Sequence, residues 1–140
     1  MTGMTGIERL RPEGLVHSPA FSHVAVVPPG ATTIYVGGQD AVDAVGAVVG
    51  GDDVAAQAVR AVENVRIALR AAGATFADVV QWTVLFAEGA DVDAAYGAIA
   101  PLIAAEEPGL VVAARVAGLA VPGALVEVSA VAAVVRDDGL

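Results

Sequence analysis

The sequence contains no cysteine and no lysine, and only one tryptophan, two tyrosines and three phenylalanines among its 140 residues. The absence of cysteine excludes a disulfide framework and thiol chemistry. All seven basic residues are arginines, scattered singly against sixteen acidic residues, and the net charge is −9. A phosphate backbone is bound by clustered positive charge, so we expect no nucleic acid among the partners.

Long hydrophobic runs are also missing. Hydrophobic residues make up 56% of the chain, yet no run reaches the roughly 18 residues that a membrane helix needs, and we expect no membrane partner. The first residues lack the apolar core of a signal peptide, so a cytoplasmic location is expected. The two histidines, His17 and His23, have no ligand spacing that links them to a carboxylate pair, and we expect neither a metal nor a cofactor.

Charged residues make up only 16% of the chain, so there is little polar side chain to cover its surface. That balance favours a homo-oligomer in which part of the apolar surface is hidden. The length fits a single domain over residues 1–140. Residues 1–14 are expected to be flexible or to form a short edge strand.

Two β-type runs come early, Phe21–Val27 and Thr32–Val36. Because Pro28, Pro29 and Gly30 separate them, they are predicted to form a hairpin. The second run leads into Gly37-Gly38-Gln39, where the backbone is free to bend or to approach a ligand closely.

Two helices are predicted further along the chain. Apolar residues recur at spacings of three and four after Asp52 and Asp53, which can cap a helix that Gly73 ends. A second helix should run from Asp91 to about Ala105, kinked or interrupted by Pro101. The segment Val79–Phe86, between the two helices, has the β-branched and aromatic residues of a strand.

The C-terminal part holds two Val/Ala-rich runs, Leu110–Ala117 and Ala124–Val135. Because these runs contain almost no charged residues, they are typical of strands buried on both faces. The predicted order is therefore β-β-α-β-α-β-β, an α+β fold with one mixed sheet and both helices on one face. The other face of the sheet would be apolar and would need a partner, which again favours a homo-oligomer with sites between subunits.

Arg115 and Glu127 are the only ionisable side chains inside these two runs. A charge in an apolar strand is costly unless it is paired or reaches water. Either these residues belong to a site, or they form an ion pair with each other, or they simply reach solvent.

Several blocks, in this order and spacing, resemble the RidA family of YjgF-type imine deaminases, also labelled endoribonuclease L-PSP. The blocks are Tyr35–Gln39, the helix from Gln57 to Ala74, Asp78–Val84, and Val116–Leu119 with Leu125–Val128. The resemblance covers roughly residues 15–135. It implies a chorismate-mutase-like α+β fold and a homotrimer with clefts at its three subunit interfaces.

In the family's active deaminases, an arginine in the penultimate strand grips the substrate carboxylate, and a glutamate in the last strand helps place the water that hydrolyses an imine. A guanidinium fork suits a carboxylate, and a carboxyl group can position water and move a proton. Glu127 falls on the glutamate position. The arginine position falls on Val111, or on Leu110 if the loop is shifted, and Arg115 follows four residues later on the same strand face.

Further ligand-binding positions follow from the same resemblance. They are Phe21, Tyr35, Gly37, Gly38 and Tyr96. Phe21 and Tyr96 stand where the family often has tyrosine and asparagine, and Gly37 where it often has serine.

Three functions remain open on the sequence. The chain is either a RidA-type imine or enamine hydrolase with an altered substrate and Glu127 ordering the water, or a non-enzymatic trimer that binds a metabolite. The third is the endoribonuclease or translation-inhibitor activity attached to part of the family, against which the acidic balance argues.

Overall fold

The computed structural model describes residues 6–136. These residues form an α+β fold with a four-stranded mixed sheet, a separate two-stranded sheet and two α-helices. The elements are β1 (Glu8–Leu10), β2 (Val24–Val26), β3 (Thr32–Gln39), α1 (Val54–Ala71), β4 (Val79–Ala87), α2 (Val92–Ile103), β5 (Leu110–Val116) and β6 (Val126–Val134).

The larger sheet has the strand order β3-β6-β4-β5. Only β4 and β5 run parallel; β6 pairs antiparallel with both of its neighbours. Both helices pack on one face of this sheet, which we call the helix face, and the core lies between them and the sheet. The opposite face, called the open face below, has no covering element among residues 6–136. The predicted fold class and the placement of the helices are therefore confirmed.

Helix α1 begins and ends where the sequence predicts. The Asp53 carboxylate accepts hydrogen bonds from the backbone N–H groups of Ala55 and Ala56, which have no partner inside the helix. Gly73, with φ +77°, takes the left-handed conformation that follows the helix. The apolar stripe from Ala58 to Leu69 is buried against the sheet.

Helix α2 is capped by Asp91, which accepts from the backbone N–H of Ala94. The helix continues only two residues beyond Pro101 and ends at Ile103. Ala95 and Ile99 are buried in the core, whereas Leu102 is 47% exposed.

The predicted hairpin of Phe21–Val27 with Thr32–Val36 is wrong. Strand β2 pairs with β1, with Glu8 opposite Val26 and Leu10 opposite Val24, while β3 pairs with β6. Pro28 and Pro29 have no backbone N–H to donate to a hairpin ladder, and β6 offers β3 a much longer partner. The short strand expected within residues 1–14 is β1, and residues 1–5 lie outside the described part.

The expectation that both C-terminal strands are buried on both faces is also wrong. In β6 the residues on the helix face are buried, because this strand lies between two others. Strand β5 is an edge strand with β4 as its one neighbour, and it is largely exposed; Val112, for example, is 49% exposed. Its apolar composition therefore reflects surface that a single chain leaves uncovered.

Neither helix between residues 6 and 136 is long and apolar enough to cross a membrane.

Candidate functional site

The four-stranded sheet separates the predicted site residues into two groups. Glu127 stands opposite Leu85 in the ladder of β6 and β4, on the open face. Val111 stands opposite Trp82 in the ladder of β5 and β4, on the helix face, where Trp82 is buried in the core. Because side chains alternate between the faces of a strand, one chain cannot bring Val111 and Glu127 into one cleft.

The open-face group is built around Gly38 and Glu127. The register of β3 against β6 shifts between Val36 and Gln39, so the two glycines lie in an irregular stretch of the strand. A Cβ atom on Gly38 would lie 2.7 Å from both Cδ and Oε2 of Glu127, whereas one on Gly37 would meet nothing within 4 Å. The missing side chain of Gly38 is the space that the Glu127 carboxyl group occupies.

Asp40 is the functional candidate that the sequence did not reveal. It is 6% exposed, and its Oδ1 is buried without a hydrogen-bond partner within residues 6–136. Gln39 pairs with Val128 in the ladder of β3 and β6, so Asp40, which follows Gln39, is the neighbour of Glu127, which precedes Val128. Burial first, and then the charge and hydrogen bond of Glu127, raise the pKa of Asp40 to about 6. The one available signal was its position directly after Gly-Gly-Gln.

Side chains from α1 hold the backbone segments next to this carboxyl pair. Asn64 donates through Nδ2 to the carbonyl oxygens of Asp40, at 3.0 Å, and Val42, at 2.9 Å. Gln57 is fully buried and donates to the carbonyls of Gly51 and Gly123, and it accepts from the N–H of Leu125. These contacts tie the end of β3 and the start of β6 to the same helix.

The helix-face group surrounds a cavity of about 100 Å³ between α2 and the sheet. Tyr96 and Val111, both 39% exposed, lie at its lining. The polar side-chain groups among the described residues of this lining are the hydroxyl of Tyr96 and the indole N–H of Trp82. The other residues there are apolar: Ala20, Val62, Val84, Phe86, Val92, Ile99, Ile103, Ala113 and Val128. The cavity suits an apolar group and offers no positive charge to a carboxylate.

Arg115 does not form an ion pair with Glu127, because it projects from the helix face, opposite Phe86. Its Nη1 donates to the carbonyl oxygen of Ala90 at 3.1 Å, near the start of α2. The Arg115 side chain thus stabilises the connection between β4 and α2, and it does not line the cavity.

The remaining predicted residues lie at the margins of these two groups. Tyr35, on the open face, is 79% exposed. Phe21 packs edge-on against His23, and its neighbour Ala20, rather than Phe21 itself, lines the cavity. His23 bonds to the carbonyl of Val16. Within residues 6–136, no three His, Cys, Asp or Glu side chains are grouped as metal ligands would be.

Comparison with known proteins agrees with this architecture. The family model described as Endoribonuclease L-PSP matches residues 15–134. A search of curated proteins finds no match. Among solved structures, a protein of unknown function of the conserved Rid family from Yersinia pestis is 32% identical, with a TM-score of 0.80 over 94% of this chain and all of the other.

Two further structures are more distant. A member of the YjgF family from Mycobacterium tuberculosis is 27% identical, with a TM-score of 0.62 over 92% of this chain and all of that one. The TdcF protein of E. coli, solved with bound serine, is 22% identical, with a TM-score of 0.64 over 95% of this chain and 99% of the other, and shares the fold. The chain belongs to the endoribonuclease L-PSP family, also called the Rid or YjgF family.

Proposed function

We propose that this protein is a cytoplasmic small-molecule-binding homotrimer whose site forms between two copies. The cavity beside Val111 in one copy would face the open face carrying Glu127 in the next. What carries the proposal is the position of Val111 and Glu127 on opposite faces of one sheet. The exposed apolar side chains of the open face, Tyr35 and Val112, support burial by a second copy.

The ligand of such a cleft would differ from that of the carboxylate-binding deaminases that the sequence resembles. At the position where the resemblance implies an arginine, Val111 contributes apolar surface to the cavity. The Arg115 side chain donates its hydrogen bond to the carbonyl oxygen of Ala90 instead. An imine or enamine metabolite without a carboxylate, or with its carboxylate placed elsewhere, fits this cleft best. No metal or cofactor is needed for its hydrolysis.

The proposed reaction uses Glu127 to order and deprotonate water. As the water oxygen forms a bond to the imine carbon, its proton passes to the Glu127 carboxylate and the C=N electron pair moves to nitrogen. The nitrogen takes this proton back from Glu127, which gives the neutral carbinolamine. Glu127 then removes the hydroxyl proton and passes it to the nitrogen as the C–N bond breaks, which releases the carbonyl product and ammonia. General acid–base catalysis of this kind contributes about 10²- to 10⁴-fold to a rate.

A coupled assay tests both halves of the proposal. A dehydratase produces 2-aminoacrylate and its imine from serine, and keto-acid release is followed with wild-type protein and with Val111→Arg, Glu127→Gln and the double variant. We expect Val111→Arg to accelerate release beyond the wild type, and Glu127→Gln to remove that gain by about 100-fold. Strong acceleration by the wild type would contradict the altered ligand, and equal rates for Val111→Arg with and without Glu127 would remove Glu127 from the mechanism.

A non-enzymatic binding role is the second candidate, and the almost wholly apolar cavity favours it, since apolar side chains bind without supplying chemistry. A metabolite that raises the melting temperature of the protein without being consumed would support this role. Turnover that depends on Glu127 would contradict it.

The ribonuclease function in the family's name is disfavoured by the net charge of −9 and the absence of lysine. We expect no RNA binding at physiological salt. Retention of a labelled RNA under that condition would overturn this expectation.

A further inference from the structure

The open face presents two carboxyl groups from different strands against each other. Asp40 follows the last residue of β3, and Glu127 is the second residue of β6. Neither reaches an arginine: Arg115 lies on the other face of the sheet and bonds to Ala90, while Arg60 on α1 donates to Asn64. The remaining neighbour of Glu127 across the ladder is Leu85, which carries no charge.

Two ionised carboxylates in this position would repel each other with no cation to compensate. Neighbouring residues nevertheless fix both groups, since Asn64 holds the backbone of Asp40 in place and Gly38 leaves the space that Glu127 fills. The buried Oδ1 of Asp40 has no hydrogen-bond partner in residues 6–136. A shared proton satisfies both groups, because one carboxylic acid then donates to the other carboxylate.

We propose that Asp40 and Glu127 form a proton-sharing carboxyl pair, in which protonated Asp40 donates to Glu127 and acts as its positioning residue. Glu127 then remains the carboxylate that faces the open side, held in one orientation by its neighbour. The pairing rests on the strand register and on the buried, unpartnered oxygen of Asp40, whereas its use in turnover rests on the proposed hydrolytic function.

The pair gives the site a pH response. Burial and the proximity of Glu127 raise the pKa of Asp40 to about 6, so protonated Asp40 is present below that value and is lost above it. If a second copy covers the open face, the added desolvation favours the neutral acid further and moves the transition to higher pH. Assembly would therefore strengthen the hydrogen bond that orients Glu127.

The pairing is tested directly by following the side-chain carboxyl carbons of ¹³C-labelled protein by NMR between pH 4 and 8. We expect the Asp40 signal to titrate near pH 6. In Glu127→Gln the Asp40 midpoint should fall, since the neighbouring negative charge is removed. Asp52→Asn, which neutralises an exposed carboxylate nearby in the chain, should leave the midpoint unchanged. A wild-type midpoint in the ordinary aspartate range, or one that Glu127→Gln does not move, would overturn the pairing.

The positioning role is tested by comparing Asp40→Asn with Asp40→Ala across the same pH range in the coupled imine assay, on the Val111→Arg background. The amide of Asp40→Asn can donate to Glu127 at every pH, so its rate relative to the parent should rise as pH passes 6. Asp40→Ala should show no such rescue and should lose activity throughout. A pH-independent ratio for Asp40→Asn would overturn the positioning role. Absence of turnover in the parent would contradict the proposed hydrolysis, while the NMR titration still decides the pairing.

Discussion

Val111 and Glu127 lie on opposite faces of one sheet, with strand β4 between the strands that carry them. The two positions to which the family resemblance assigns a shared chemistry are therefore separated within a single chain. The open face carries exposed apolar side chains such as Tyr35 and Val112, and the cavity beside Val111 opens on the helix face. A second copy that covers the open face would account for both observations.

The same substitution at two adjacent residues of β5 should separate assembly from ligand recognition. Val112→Arg places a charge on the open face and should shift the protein from trimer to smaller species, because a charge buried at an interface without a partner is costly. Val111→Arg points to the helix face, where the proposed cleft would set its charge against Glu127 of the partner subunit, and should leave the mass near 42 kDa, three times the 13.9 kDa of one chain. Light scattering after size exclusion measures both. Equal masses for the two variants would contradict an interface on the open face.

Replacing Asp40 by asparagine should stabilise the protein at neutral pH. The pKa of Asp40 in the folded state is raised to about 6, so the folded state binds more protons than the unfolded state and stability falls as pH rises toward 6. Asp40→Asn abolishes this loss, and with partial solvent screening the gain above pH 6 should be about 1–2 kcal/mol.

Urea unfolding at pH 4 and pH 7 measures this effect. The advantage of Asp40→Asn over the wild type should be present at pH 7 and should shrink toward pH 4, where the wild-type carboxyl is protonated in the folded state. An advantage of the same size at both values would show that the ionisation of Asp40 does not oppose folding.

Gly38→Ala should displace Glu127 without unfolding the sheet. The new Cβ atom would lie 2.7 Å from the Glu127 carboxyl group, which is the far end of a flexible side chain and can move away. The Asp40 midpoint seen by NMR should then fall toward the ordinary aspartate range. Gly37→Ala is the matched control, since its Cβ atom meets nothing within 4 Å, and it should leave the midpoint unchanged. A midpoint that Gly38→Ala does not alter would mean that Glu127 keeps its place despite the added methyl group.

Gln57→Leu should destabilise the fold by about 2–4 kcal/mol, because it removes three hydrogen bonds of a fully buried side chain and leaves the backbone groups of Gly51, Gly123 and Leu125 without this partner. Denaturant unfolding measures the loss. A change below about 0.5 kcal/mol, the size typical of surface substitutions, would mean that these groups find other partners.

Local patterns in the sequence were sufficient for both helices, because capping by Asp53 and Asp91 depends on neighbouring residues. Strand partners were harder to predict, since the pairing of β2 with β1 rather than β3 is decided by contacts far apart in the chain. The exposure of β5 was also not predictable from the sequence. An apolar sequence is expected both for a strand that its own chain covers and for a strand that another copy covers.

The candidate site was predictable only where the resemblance to a family supplied a position. Glu127 was found in this way, and its surroundings were not. In the sequence, Asp40 resembles a solvated loop residue. Its position in the fold depends on the irregular register of β3 against β6 and on the hydrogen bond that Asn64 donates to its carbonyl oxygen. The opposite orientation of Arg115 and Glu127 depends on strand register across β4, which no local pattern encodes.

Cross-linking between positions 111 and 127 tests most directly whether the site is shared between copies. Because the chain contains no cysteine, only the introduced thiols can react. Val111→Cys and Glu127→Cys are prepared singly and together, treated with a short bismaleimide, and analysed on denaturing gels. Because the sheet separates the two positions within a chain, the double variant should form covalent dimers and trimers, and each single variant should remain largely monomeric. A double variant that stays monomeric while folded would contradict a site shared between copies.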